Sequence, residues 1–116
     1  MREWTTFSGI AFSRDGDHLT AALPEKLWVS NHGDLLTPVR EGIDDGVRNV
    51  TLELAKTQYV DSTALGTLSR IDGLLREAGG PGLVLRWGNH NLMEFFTLSG
   101  LTERFVFEDC ARWPRE

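Results

Sequence analysis

Apolar and polar residues alternate, or gather in short apolar runs, in several parts of the chain, and both patterns are typical of β-strands. Five stretches fit this description: residues 7–13, 18–23, 48–54, 83–87 and 104–108. The pair Asp15-Gly16 separates the first two stretches and has the composition of a tight hairpin turn. The first two strands are therefore predicted to be antiparallel neighbours.

Three longer stretches carry apolar residues three or four positions apart, which is the spacing of one face of a helix. They cover residues 31–44, 62–78 and 92–99. A strand, a helix and another strand form a βαβ unit, whose two strands are expected to be parallel with a right-handed crossover. The fold class predicted from the order β-β-α-β-α-β-α-β is α/β, a single-domain mixed sheet of about five strands with helices packed on it.

Two of the helices raise specific questions. In the first, Pro38 leaves two alternatives. Either a helix capped by Ser30 or Asn31 kinks at the proline, or Thr37 caps a shorter helix that begins there. The second helix is predicted to place its apolar residues on one side and to stop at residues 79–82, Gly-Gly-Pro-Gly. That apolar side consists of Ala64, Leu65, Leu68, Ile71, Leu74 and Leu75.

The junction between the third strand and the second helix has the most suggestive chemistry. Asp61 and Ser62 stand where the helix begins. The first N–H groups of a helix have no partner within it, and the helix dipole favours negative charge there. A phosphoryl group on a hydroxyl at this place would meet free N–H donors and a favourable field, and Ser62 is the first candidate, with Thr63 as the alternative. Asp61 could cap the helix, hold the turn, or orient a group at the hydroxyl, and capping alone is the ordinary role of such a residue.

Composition narrows the possible functions. The chain has 12 basic and 17 acidic residues, a formal charge of −5, which disfavours nucleic acid or an anionic membrane as the main partner. No apolar run is long enough for membrane insertion, and the first residues lack the apolar core of a signal peptide. The single cysteine, Cys110, fits a reducing cytoplasm. No Cys/His grouping has zinc spacing, so neither a metal nor a cofactor is predicted.

Three features together resemble the STAS domain family, the anti-sigma factor antagonists and their relatives. The first is Asp-Ser-x-x-Leu-Gly at residues 61–66. The second is a helix ended by Gly79-Gly80 and followed by a strand. The third is Leu-Ser-Gly-Leu at residues 98–101, before a strand containing Phe105 and Phe107. The resemblance covers roughly residues 8–109 of a single domain spanning residues 1–116, with a tail from residue 110.

The resemblance implies a binding protein rather than an enzyme. In this family the residue after the aspartate is phosphorylated, which here is Ser62. The unphosphorylated antagonist binds a GHKL-type serine kinase that acts as an anti-sigma factor. That kinase phosphorylates the antagonist and ends the binding, and a PP2C-type phosphatase reverses the modification. The partner-binding residues implied here are Asp61, Ser62, Thr63, Ala64, Leu65 and Gly66, together with Glu25 and Trp28.

Two departures from the family pattern point to other partners. Thr63-Ala64 stands where the family more often has Ser-Gly, which is expected to add a methyl group at the partner surface. Residues 23–28 lack the family's Gly-Glu-Leu-Asp sequence. Residues 23–28 and the four tryptophans motivate a second hypothesis, a constitutive docking subunit of a transporter or sensory complex that is not phosphorylated. A third, an enzyme using Asp61 and Ser62, lacks a recognisable base and oxyanion partners.

Overall fold

The computed structural model describes residues 1–101 and 103–111. The strands are β1 (Arg2–Thr5), β2 (Ala11–Asp15), β3 (His18–Ala22), β4 (Lys26–Leu27), β5 (Asn49–Glu53), β6 (Tyr59–Val60), β7 (Leu83–Arg86) and β8 (Val106–Glu108). The helices are α1 (His32–Asp44), α2 (Ser62–Glu77) and α3 (His90–Leu98). Most of the predicted tail, residues 112–116, lies outside the described residues.

The main sheet is mixed, as the sequence predicts. Its six strands lie in the order β1-β2-β3-β5-β7-β8. β1, β2 and β3 are antiparallel neighbours, while β3, β5, β7 and β8 run parallel. The hairpin at Asp15-Gly16 and the parallel βαβ unit from β5 to β7 are both confirmed. The sixth strand is β1, which pairs along the outer edge of β2 and was not predicted.

The short strands differ most from the sequence analysis. The strand predicted at residues 7–13 begins only at Ala11, because residues 6–10 form a turn closed by the Thr6 N–H on the Ile10 carbonyl. β4 and β6 form a separate two-stranded parallel sheet. Two residues are too few to establish a period of two, so no sequence pattern marks β4 or β6.

One face of the main sheet supplies the core. Strand register aligns Leu19 with Val50 and Leu83, and all three side chains are buried. The buried helix residues belong to the same cluster. Residues on the opposite face, such as Ala22 and Val84, stay half-buried. The three helices therefore share one face of the sheet.

Helix α1 runs through Pro38 without interruption. The shorter helix capped by Thr37 is therefore wrong. Proline removes one backbone hydrogen bond inside a helix. Leu35 and Val39, which flank it, are fully buried, so packing against the core offsets that loss. Asn31 occupies the cap position, but its side chain makes no capping hydrogen bond.

Helix α2 ends where the glycines predict. Gly79 has a φ of 91°, which favours glycine, and the Gly80 N–H donates to the Leu75 carbonyl at 2.9 Å. A Cβ at Gly80 would overlap the carbonyl oxygen of Arg48. The two glycines thus both close the helix and allow the chain to pass close to β5. None of the helices within the described ranges is long and apolar enough to cross a lipid bilayer.

Candidate functional site

The small β4–β6 sheet brings together two segments that lie more than thirty residues apart in sequence. Lys26 pairs with Tyr59, and Leu27 pairs with Val60. The N–H groups of Gln58 and Tyr59 both donate to the Glu25 carbonyl, at 2.7 and 3.1 Å. The segment containing Glu25 and Trp28 therefore lies beside the start of α2.

The carboxylate of Asp61 joins the two segments. Its Oδ1 accepts the Ala64 N–H at 2.8 Å and caps α2. Its Oδ2 accepts the Val29 N–H at 2.9 Å, on the loop that leads into α1. Asp61 therefore both caps the helix and holds the loop. Because each oxygen already accepts a backbone N–H, Asp61 is poorly suited to act as a catalytic base.

Asn31 organises the β4–α1 loop from inside. Its side chain is buried, and its Oδ1 accepts the Trp28 N–H at 2.9 Å while its Nδ2 donates to the Lys26 carbonyl at 2.8 Å. The amide thus fixes the backbone on both sides of Leu27. This role replaces the capping role that the sequence suggested.

The loop before β6 is held by Thr57 and Asn89, neither of which was predicted to belong to the site. Thr57 is fully buried, and its hydroxyl donates to the Pro24 carbonyl at 2.9 Å. Asn89, which caps α3 through the Leu92 N–H, donates its Nδ2 to the Thr57 carbonyl at 2.9 Å. Three loops at this edge of the sheet are therefore tied together. The burial of Thr57 could not be predicted, because a threonine in a polar loop is usually exposed.

The predicted site residues differ in their access to solvent. Ser62, Thr63, Gly66 and Glu25 are exposed, while Leu65, Trp28 and Asp61 are half-buried. The methyl group of Ala64 is fully buried. The expectation that it would lie at the partner surface is wrong, because Ala64 lies on the core side of α2, where the helical period places it.

Two exposed apolar residues beside Ser62 were missed. Val29 is 58% exposed and Tyr59 is 48% exposed. In β6, Tyr59 faces outward because its neighbour Val60 is buried. We call the exposed and half-exposed residues around the start of α2 the Ser62 surface. It consists of Glu25, Lys26, Trp28, Val29, Tyr59, Asp61, Ser62, Thr63, Leu65 and Gly66.

The start of α2 can accept negative charge. The first bond within the helix runs from the Leu65 N–H to the Asp61 carbonyl at 2.9 Å, so the N–H groups of Ser62 and Thr63 precede the intrahelical ladder. His32, at the start of α1, forms its side-chain hydrogen bond with a residue other than Ser62. Its Nδ1 lies 2.8 Å from the hydroxyl of Thr67, which is buried. The ring of His32 is therefore engaged by α2 itself, five residues beyond Ser62.

The fold recurs in solved structures of anti-sigma factor antagonists. The Thermotoga maritima protein TM1081, assigned as an anti-sigma factor antagonist, matches with a TM-score of 0.75 at 21% identity over 84% of each chain. The anti-sigma factor antagonist SpoIIAA in its unphosphorylated form matches with a TM-score of 0.75 at 14% identity, over 85% of this chain and 87% of that one. The phosphorylated form from Bacillus gives 0.69, also at 14% identity, over 85% and 90%. The chain therefore has a STAS-like fold, and the fold implied by the resemblance is confirmed.

A further match has a different function. A chain in the complex of the diguanylate cyclase SiaD with its activator SiaC, from Pseudomonas aeruginosa, gives a TM-score of 0.58 at 21% identity, over 96% of this chain and all of that one. No protein-family profile and no curated protein matches the chain. At these identities the likeness establishes the fold alone.

Gly66 lies in the second turn of α2 without a steric need for glycine. A Cβ there would meet nothing within 4 Å. Glycine destabilises the interior of a helix relative to alanine. Gly66→Ala is therefore expected to raise the free energy of unfolding by about 0.5–1 kcal/mol. Chemical denaturation followed by circular dichroism would measure the change.

Gly73 provides a matched control on the same helix. It also has open space around its Cβ position. Gly73→Ala should stabilise the protein by a similar amount. If Gly66→Ala alone weakens binding to a partner, Gly66 is a place where the partner approaches the helix backbone closely. A loss of stability in Gly66→Ala would contradict the open space that the structure gives this position.

Proposed function

We propose that this protein is a single-domain, phosphorylation-switched binding protein of the anti-sigma factor antagonist type. Ser62 is the phosphoryl acceptor, with Thr63 as the alternative. The observation that carries the proposal is an exposed hydroxyl at the start of a helix, set in a surface with the exposed apolar residues Val29 and Tyr59. A site of this kind is both accessible to a kinase and suited to a protein contact.

The switch follows from charge. Phosphorylation adds about −1.5 to −2 charge at pH 7. The start of α2 stabilises that charge without refolding. The same charge in a closed interface would have to be stripped of water beside Val29 and Tyr59, which costs free energy that unmodified Ser62 does not. Phosphorylation therefore favours release of the partner.

The partners proposed for this site are proteins. One is a GHKL-type serine kinase that serves as an anti-sigma factor and binds the unphosphorylated form. The other is a PP2C-type phosphatase that restores it. Both would act in the cytoplasm. The chain itself is proposed to be a substrate and binding module rather than an enzyme, since Asp61 already accepts two backbone N–H groups.

The phosphoryl acceptor can be identified directly. GHKL-type serine kinases encoded in the source genome would be purified and incubated with the protein and ATP. We expect a mass increase of one phosphoryl group, which peptide mapping assigns to Ser62. Ser62→Ala should abolish the modification, and Thr63→Val should leave it unchanged.

Two results would change the assignment. Full modification of Ser62→Ala together with loss in Thr63→Val would move the acceptor to Thr63. Modification of both variants at the wild-type level would show that neither hydroxyl is the site. If no kinase of this class modifies the wild-type protein, the proposal of a kinase-driven switch fails.

A second candidate is a constitutive docking protein. It is favoured by the match to the SiaD–SiaC complex and by residues 23–28, which lack the family's sequence in this segment. In this case the Ser62 surface stays bound to its partner and is not phosphorylated. The protein would then serve, for example, as a subunit of a transporter or sensory complex. Binding would then tolerate negative charge at residue 62.

A further inference from the structure

Strand pairing places the cation Lys26 opposite Tyr59, three residues before Ser62. Its Nζ lies 5.1 Å from the ring centroid of Trp28, a cation–π contact. Both side chains lie on the outer side of β4, because Leu27 between them is fully buried. Lys26 forms no salt bridge with any described residue. Among the described residues, the Trp28 ring is therefore what holds its ammonium group.

The backbone brings this pair close to Ser62. β4 and β6 are parallel with Lys26 opposite Tyr59, and beyond them the Val29 N–H reaches the Asp61 carboxylate. The chain from residue 26 to residue 29 thus runs alongside the chain from residue 59 to the start of α2. Trp28, whose ring the Lys26 ammonium contacts, is followed by Val29, whose N–H donates to Asp61, the residue before Ser62.

Other charges near the site do not take the place of Lys26. Glu25 and Asp61 are acidic, and both Asp61 oxygens accept backbone N–H groups. The second lysine of the chain, Lys56, lies on the loop between β5 and β6. Arg70 lies eight residues along α2 from Ser62, which is about 12 Å at the rise of an α-helix.

We propose that Lys26 is a latch that responds to phosphorylation: its ammonium group rests on Trp28 in the unmodified protein and moves to the phosphoryl group when Ser62 is phosphorylated. The inference rests on the proposed function, because it concerns the same site. A bond between an ammonium group and a phosphate is charge-assisted and stronger than an exposed cation–π contact. The four-carbon stem of lysine lets the charge move without a change in the backbone.

The latch changes the Ser62 surface in two places at once. The phosphoryl group gains a counter-charge beside Ser62, and the ring of Trp28 loses the cation that covers it. A partner that recognises Lys26 on Trp28 in the unmodified protein would lose that feature on phosphorylation. Release would then depend on the rearranged contact between Lys26 and Trp28 as well as on the cost of desolvating the phosphoryl group.

Installing phosphoserine at residue 62 during translation tests the latch without any kinase. The second pKa of phosphoserine, about 6, would be measured by ³¹P NMR titration. A nearby ammonium group favours the dianion. Lys26→Met should therefore raise this pKa by about half a unit relative to the wild type, the size expected for an exposed charge pair. Methionine keeps an apolar stem on Trp28, and Lys56→Met is the matched control, expected to change nothing.

A second readout follows the tryptophan. The protein would be labelled with ¹⁹F-tryptophan, and the Trp28 resonance would be assigned by its loss in Trp28→Phe. This resonance should shift on phosphorylation in the wild type and stay in place in Lys26→Met. Equal phosphoserine pKa values in the Lys26 and Lys56 variants, or a Trp28 shift that survives Lys26→Met, would overturn the latch. Because phosphoserine is already installed, failure of the latch is distinct from failure to find a kinase.

Discussion

Ser62→Asp is expected to weaken binding to the partner that recognises the unphosphorylated protein. The expected loss is about 10- to 100-fold in affinity, which is about 1.4–2.8 kcal/mol. The carboxylate places a charge on the exposed surface that Val29 and Tyr59 share with Ser62, and burying it there is costly. In the isolated protein the same charge lies in the first turn of α2, where it is favourable. Stability should therefore stay within about 0.5 kcal/mol of the wild type. Isothermal titration calorimetry and thermal unfolding would measure the two effects.

Ser69→Asp is the matched control for this substitution. Ser69 lies seven residues along α2, so it has nearly the same helical face but is about 10 Å from the N-terminus. It should reduce binding much less than Ser62→Asp does. An unchanged dissociation constant in Ser62→Asp would contradict the switch and favour the constitutive docking protein instead.

Asp72→Ala is expected to be the most destabilising of these substitutions. Asp72 is 1% exposed; its Oδ1 accepts the Leu83 N–H at 2.9 Å, and its Oδ2 lies 3.0 Å from Nε of Arg76 and 3.6 Å from Nε of Arg104. Removing the carboxylate leaves the Leu83 N–H unpaired and opens a cavity, while the two half-exposed arginines remain solvated. We expect a loss of about 2–3 kcal/mol in the free energy of unfolding, or roughly 10 °C in Tm. Differential scanning calorimetry would measure it.

Asp72→Asn separates the two contributions of this side chain. The amide oxygen can still accept the Leu83 N–H, but the charge pairs with the arginines are lost. We expect the free energy of unfolding to fall by roughly half as much as in Asp72→Ala, because ion pairs with exposed arginines contribute little to stability. A loss in Asp72→Asn as large as in Asp72→Ala would show that the charge, rather than the hydrogen bond to β7, is the main contribution. Asp72 lies about 15 Å along α2 from Ser62, so phosphorylation of Ser62 should be unaffected.

Local patterns predicted the larger elements correctly. α2 was defined at both ends, by Asp61 as its cap and by the glycines at 79 and 80, and both ends are found where predicted. The period of apolar residues also placed Ala64 on the buried side. The family resemblance assigned the same residue to the partner surface, and this was wrong. Helical period is a direct consequence of backbone geometry, so here it was the better guide.

Pairing between distant short segments could not be predicted in the same way. β1, β4 and β6 have four, two and two residues. At these lengths, neither a period of two nor a turn signal separates a strand from a loop. Their existence depends on neighbours: β1 on the edge of β2, and β4 and β6 on each other. The Ser62 surface could not be predicted for the same reason, because the β4–β6 pair is what brings Glu25, Trp28 and Val29 beside the start of α2.

The sequence alone determined the class of fold, the start of α2 and the hydroxyl that stands there, because caps, glycines and apolar periods act over a few neighbouring residues. The tertiary structure alone decided what surrounds that hydroxyl. It set Lys26 opposite Tyr59, brought Trp28 and Val29 beside the start of α2, and gave the second carboxylate oxygen of Asp61 to the Val29 N–H. The physical reason is that these contacts join residues about thirty positions apart, whose encounter depends on how the whole chain packs its apolar face.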